Sequence, residues 1–207
     1  IVDPELTYTM PAKLCAHTGM DALTHCMEAY VSTCASMFTD ANALHGIREI
    51  VEWLPKSYAG DHEARQHMHE AQCIAGIAFS SGLLGIVHSM AHPLGAVYDT
   101  PHGVANAIIL PTVMEYNADC TGEKYREIAR AMGVEGVDSM TQAEYRRAAI
   151  DAVKKLSKDV GIPEKLDALK EEDLPFLAES AYADACRPGN PRDTSVEEIK
   201  QLYLSLM

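Results

Sequence analysis

Residues 141–163, TQAEYRRAAIDAVKKLSKDVGIP, decide the fold class. Thr141 with Glu144 three positions on makes a capping box, in which each side chain takes a backbone N–H left free at a helix start. Ala149, Val153, Leu156 and Val160 then recur at i, i+4, i+7 and i+11, one apolar stripe of a helix that Gly161 and Pro163 stop. The same period continues on both sides. Downstream, Leu174 to Cys186 is a shorter helix, Arg187-Pro188-Gly189-Asn190-Pro191 is irregular, and Ser195 with Glu198 caps a last helix ending near Leu206.

Upstream, Thr121 to Met132 is amphipathic, and Val104 to about Met114 and Ile86 to about Tyr98 are short apolar helices joined by the turn Asp99-Thr100-Pro101-His102-Gly103. Gly82 and Gly85 mark a break before them. Asp61 to about Ser80 starts polar and turns apolar, and Thr39 to Tyr58 carries Leu44, Ile47, Ile50, Val51 and Leu54 at helical spacing. Pro11 to about Thr33 is apolar on most sides, which suits a buried central helix. No alternating strand pair and no internal repeat interrupts the series. The expected architecture is all-α, about nine helices, one helical domain over residues 1–207.

Composition bounds what such a domain does. The 207 residues are 47% hydrophobic and 23% charged, ordinary globular values that exclude disorder, collagen and coiled-coil rods. A net charge of −13 repels phosphate backbones and anionic lipid alike, so neither nucleic acid nor a membrane is an expected partner. Six cysteines without a CxxC pair suit a reducing compartment, and no apolar run approaches the roughly 20 residues a bilayer span needs. A cytoplasmic location is expected. The opening Ile1-Val2-Asp3-Pro4, without an initiator Met, looks like a strand end cut from a larger polypeptide.

The chemistry lies in the histidines. Asp21 and His25 stand four apart on an apolar helix, hence on one face, and a buried carboxylate is costly unless paired or metal-bound. His88 and His92 repeat that spacing, and His102 follows in its glycine-flanked turn. Two helical pairs and one loop residue can converge on a metal; the rival account of each alone is a satisfied core residue. Their mixed N and O donors suit Fe(II), Zn(II) or Co(II) better than Mg(II) or Ca(II). His62, Glu63 and His67 imitate HExxH but fail it, since the second His falls at i+5, about 140° around the helix. With His69 they read as a solvated face, and His45 as structural or surface. Cys186 reads as a buried thiol. No G-x-G-x-x-G or Walker A loop is present, and Gly82-Leu-Leu-Gly85 is a weak substitute.

The segments Asp3-Pro4-Glu5-Leu6-Thr7, Thr18-Gly19-Met20-Asp21-Ala22-Leu23-Thr24-His25 through Ser32, His88-Ser-Met-Ala-His92-Pro-Leu-Gly and Tyr98-Asp-Thr-Pro-His102-Gly-Val-Ala-Asn-Ala closely resemble the iron-containing, group III alcohol dehydrogenases. Tyr116-Asn-Ala-Asp, Thr121-Gly-Glu-Lys-Tyr-Arg and Gly189-Asn-Pro-Arg are most similar to the branch that reduces lactaldehyde and oxidises propanediol. The resemblance implies a two-domain enzyme whose absent N-terminal Rossmann-like half binds NAD(P) and whose helical half, this chain, holds the metal. By motif position it implies Asp21, His25, His88 and His102 as ligands of Fe(II), with Zn(II) as the alternative, and His92 as the residue beside nicotinamide and substrate that transfers a proton. It further implies small alcohol, diol or aldehyde substrates and a homo-oligomer as the full-length enzyme. His17, four residues before Asp21, and Cys26 stand where the family usually has small residues, placing an extra nitrogen and thiol near the site. The rivals are a metal-binding helical module without turnover, a dehydroquinate synthase-like lyase, whose basic phosphate pocket the His motifs lack, and a helical phosphohydrolase, whose adjacent His-Asp doublet is absent.

Overall fold

The computed structural model describes all residues from Ile1 to Met207 and contains nine α-helices and no strand. They are α1 (Ala12–Val31), α2 (Met37–Tyr58), α3 (His62–Gly82), α4 (Ile86–Tyr98), α5 (His102–Asn117), α6 (Lys124–Ala131), α7 (Gln142–Asp159), α8 (Leu174–Ala183) and α9 (Val196–Leu204). The all-α expectation therefore holds. The capping boxes at Thr141/Glu144 and Ser195/Glu198 both form. A third stands at α2, where the Ser36 side chain accepts from the Thr39 N–H and the Thr39 side chain from the Ser36 N–H, so Thr39 is the third residue of α2 rather than its start.

Two further boundaries need correction. His102 does not lie in a turn; it is the first residue of α5, with Pro101 as its N-cap. Pro101 supplies the fixed φ of a helix entrance and carries no N–H of its own to strand there. The helix expected up to Cys186 ends at Ala183, which leaves Asp184 and Cys186 on an irregular turn.

One apolar cluster of 53 buried residues draws on every helix, so the chain has a single core. α1 packs against α2, α3 and α5, while α4 lies between α5 and α8. Close backbone approaches set these contacts. A Cβ on Gly103 would fall 2.0 Å from the His17 carbonyl oxygen, so only glycine lets the first turn of α5 press on α1. Arg65, in the segment read as a solvated face, is instead buried, donating to the carbonyls of Ser57, Thr7 and Met10 and thereby tying the N-terminal segment to α2 and α3. No single helix is long and apolar enough to cross a bilayer.

Candidate metal centre

Asp21, His25 and Glu28 occupy one face of α1 at i, i+4 and i+7; this face packs on α5 and reaches α4 through the Glu28 side chain. His88 projects from α4, and His102 and Asn106 from α5. One donor atom each of Asp21, His88 and His102 lies within 4.8 Å of the others. Asp21 Oδ1 is 3.3 Å from His102 Nε2 and 3.6 Å from His88 Nε2. His25 stands at the margin of this group: its Nδ1 is 4.0 Å from Asp21 Oδ2, and its ring stacks between Phe79 and His88, with centroids 4.5 Å from each. Asn106, fully buried, puts Nδ2 at 2.6 Å from Asp21 Oδ1, 3.0 Å from His102 Nε2 and 3.1 Å from His88 Nε2.

Glu28 is the residue that orients His88. This carboxylate is 5% exposed, and its Oε2 accepts from His88 Nδ1 at 2.6 Å, while its Oε1 accepts from the Val87 backbone N–H at 2.7 Å. It thus caps α4 from α1 while fixing the ring beside the cap, leaving Nε2 for the cluster. Gly85 makes room, since a Cβ there would sit 2.9 Å from Glu28 Oε1. Asn190, paired reciprocally with Asn117, accepts from the Ile86 N–H and completes the entrance of α4.

The charges divide the histidines. Burial opposes a proton on His88, but the hydrogen bonds and charges of Asp21 and Glu28 outweigh it and hold the ring up at about 9. Burial pushes His25 down to about 4 against the pull of Asp21, and burial lowers His102 as well. Asp21 falls to about 2: burial works against its charge, yet His88, His25 and His102 prevail. Asp21 and Glu28 thus favour the protonated form of His88, burial favours the neutral form of His102, and the Asn106 amide nitrogen reaches both Asp21 and His102. Asn106 Oδ1 is left buried with no donor. A carboxylate, imidazoles in reach and an interior that the protein's own hydrogen bonds leave incompletely satisfied form a donor set that fits a divalent metal of the Fe(II) and Zn(II) class.

His92 lies beside this group. Its ring is 43% exposed, stacks on His102 at a centroid distance of 5.5 Å, and directs Nδ1 to Asp184 Oδ2 at 2.7 Å. Asp184 is held in turn by the Cys186 backbone N–H at 2.8 Å, which leaves His92 Nε2 as the free ring nitrogen. α4 continues through Pro93 to Tyr98, so the proline next to His92 does not end the helix.

Several expected neighbours are elsewhere. Cys26 is buried, and its Sγ abuts Gly46 of α2, so this thiol faces the helix pair rather than the metal group. His17 is not among the converging donors, and its carbonyl packs on Gly103. His67 is no free surface group: it stacks on Trp53 and pairs with Glu49 at 3.0 Å, while His62 stacks on Tyr8 and stays exposed. Glu28, Asn106 and Asp184 were not singled out from the sequence.

The profile described as "Fe-containing alcohol dehydrogenase family, C-terminal" matches residues 15–207. The chain is 51% identical over 204 residues to lactaldehyde reductase of Escherichia coli (strain K12), covering 98% of this chain and 53% of that protein. It is 48% identical over 209 residues to the NADPH-dependent butanol dehydrogenase of Clostridium saccharobutylicum, again over 98% of this chain and 53% of the relative. A crystal structure of 1,3-propanediol oxidoreductase superposes with a TM-score of 0.96 at 43% identity, covering 99% of this chain and 55% of that one. The chain thus spans about half the length of these relatives. Fold, histidine-bearing helices and relatives agree that the chain belongs to the iron-containing alcohol dehydrogenase family and forms its helical C-terminal part.

Proposed function

We propose that this chain is the metal-holding half of an NAD(P)-dependent alcohol dehydrogenase or aldehyde reductase acting on small alcohols, diols or hydroxyaldehydes, with Asp21, His25, His88 and His102 as ligands of Fe(II), and that the full-length enzyme is a homo-oligomer. The observation that carries it is the convergence of Asp21, His88 and His102 from three helices, with His25 stacked at their edge. The bound metal supplies Lewis-acid polarisation of the substrate oxygen.

The chain's own residues do the rest. Glu28 holds His88 so that Nε2 is presented to the cluster, and Asn106 steadies Asp21. His92, anchored through Nδ1 by Asp184, uses Nε2 to take the hydroxyl proton in oxidation and return it in reduction. Hydride passes between the carbinol carbon and a nicotinamide held by the half of the relatives that this chain does not span, so the 207 residues alone fold and bind metal without turning over alcohol. Metal analysis of the chain and of Asp21→Ala, His25→Ala, His88→Ala and His102→Ala, with NADH and NADPH assays of the protein joined to its cofactor half, tests this. The expected result is loss of metal in each variant and turnover only in the joined protein. Variants that hold metal like the parent, or alcohol oxidation by the 207 residues alone, overturn it.

A further inference from the structure

A second set of donors stands next to the first and shares no residue with it. One ring nitrogen of His92, a carboxylate oxygen of Asp184 and Cys186 Sγ all lie within 4.8 Å of one another, and His92 Nδ1 is 2.7 Å from Asp184 Oδ2. They come from two elements, His92 from α4 and the other two from the turn after α8. The Cys186 N–H bond to Asp184 Oδ1 fixes that turn, and the 2.7 Å His92–Asp184 contact fixes the turn to α4. Bond lengths of about 2.0–2.3 Å at a tetrahedral zinc place its N, O and S donors roughly 3–4 Å apart. The 4.8 Å limit on the three donors lies close to that range, and the exposed His92 side chain leaves the cluster open to water.

We propose that His92, Asp184 and Cys186 form a second metal site, for Zn(II) or another thiophilic divalent ion, and that its occupation inhibits the enzyme. The chemistry is ligand exchange without redox change. The thiol gives its proton to solvent and its sulfur lone pair to the ion; the ring proton that Nδ1 shares with Asp184 moves to Nε2, freeing the Nδ1 lone pair. Burial and Asp184 hold the thiol proton, so filling this site releases that proton to solvent. An ion there ties down His92 and puts a hydrogen on the nitrogen that must accept one. That inhibitory consequence rests on the role proposed for His92; the metal site itself does not.

Cobalt(II) titration of the metal-free 207-residue chain separates the two. The equivalent held at the first site sees only N and O donors; the equivalent held by His92, Asp184 and Cys186 is expected to add a near-ultraviolet thiolate-to-cobalt charge-transfer band, which no ligand of the first site can produce. Cys186→Ser and His92→Gln should each abolish the band and the second equivalent while keeping the first, with far-ultraviolet circular dichroism confirming that both fold. His88→Ala should lose the first equivalent and keep the band. In the protein joined to its cofactor half, inhibition by excess Zn(II) should be relieved in Cys186→Ser. Absence of the band at excess cobalt overturns the proposal, as does a band that survives Cys186→Ser, since the exposed Cys34, Cys73 or Cys120 would then be its source. A band without the first equivalent counts against the function proposed above and leaves the second site standing.

Discussion

Replacing Glu28 by Gln exchanges one oxygen for an NH2 group without changing shape, and the surroundings give that exchange no good orientation. Oε1 accepts from the Val87 N–H at 2.7 Å and Oε2 accepts from His88 Nδ1 at 2.6 Å, both out of solvent. If the new NH2 faces Val87, two donors meet, and a buried donor left unpaired costs about 1–3 kcal/mol. If it faces His88, Nδ1 must become an acceptor and the ring keeps its hydrogen on Nε2, the nitrogen that faces Asp21 Oδ1 at 3.6 Å and is needed for metal. Loss of such an outer partner typically lowers metal affinity about 10–100-fold. At about 1.4 kcal/mol per decade this is roughly 1.4–2.8 kcal/mol, the same range as the unpaired donor. Competition against a chromophoric chelator measures the affinity, and nitrogen chemical shifts of His88 report its tautomer. Glu28→Gln protein that binds metal as tightly as the parent, with Nδ1 still protonated, would refute the reasoning.

His92→Ala in the full-length enzyme should retain its first metal and lose turnover by on the order of 10²- to 10⁴-fold, whereas His88→Ala should be metal-free; a metal-free His92→Ala protein would make His92 a ligand. In the metal-free chain, proton NMR should find His88 protonated up to about pH 9 and His25 neutral down to about pH 4. The signs for stability follow: the His88 contribution is in place below the ordinary histidine value and is lost as pH rises through about 9, whereas the His25 contribution is in place above pH 6.5 and is lost as pH falls towards 4, so thermal melts across both limbs should decline at each end. Gly103→Ala should destabilise the fold by about 1–3 kcal/mol, the usual cost of overpacking, and should weaken metal binding as α5 and His102 are pushed from α1, which melts and chelator competition measure together.

How far the sequence reaches depends on how local each determinant is. The starts of α7 and α9 are legible because a capping box is written in four consecutive residues. Asp21 with His25 and His88 with His92 are legible because helical spacing puts each pair on one face. The same rule extends to Glu28, seven residues after Asp21, and to Asn106, four after His102, but both look like ordinary polar residues until the partner helix is known. His88 is 60 positions from Glu28, and no spacing rule connects them. Asp184 is farther still from His92, 92 positions, and sits on a turn that the sequence assigns to a helix. The α5 start is hidden for a different reason: Thr-Pro-His-Gly has turn composition, and the approach of Gly103 to α1 that accompanies a helix beginning at His102 is not visible in the sequence.

Both α4 histidines are oriented by the same device, and this ties the chemistry to the packing. His88 rests on Glu28 from α1 and His92 on Asp184 from beyond α8, each through Nδ1. One turn of α4 is thereby gripped from two sides, and its rotation about its own axis is set by carboxylates that belong to other elements. A shift of α1 moves Asp21, His25 and Glu28 together, disturbing the ligands and the orienting group in one step; a shift of the turn after α8 moves Asp184 and Cys186, neither of which belongs to the first ligand cluster. Perturbations of the α1 packing, such as Gly103→Ala, should therefore couple stability to metal affinity. Perturbations at Asp184 should change the behaviour of His92 without releasing the first metal, because Glu28 reaches α4 from α1 whereas Asp184 reaches it from the turn after α8.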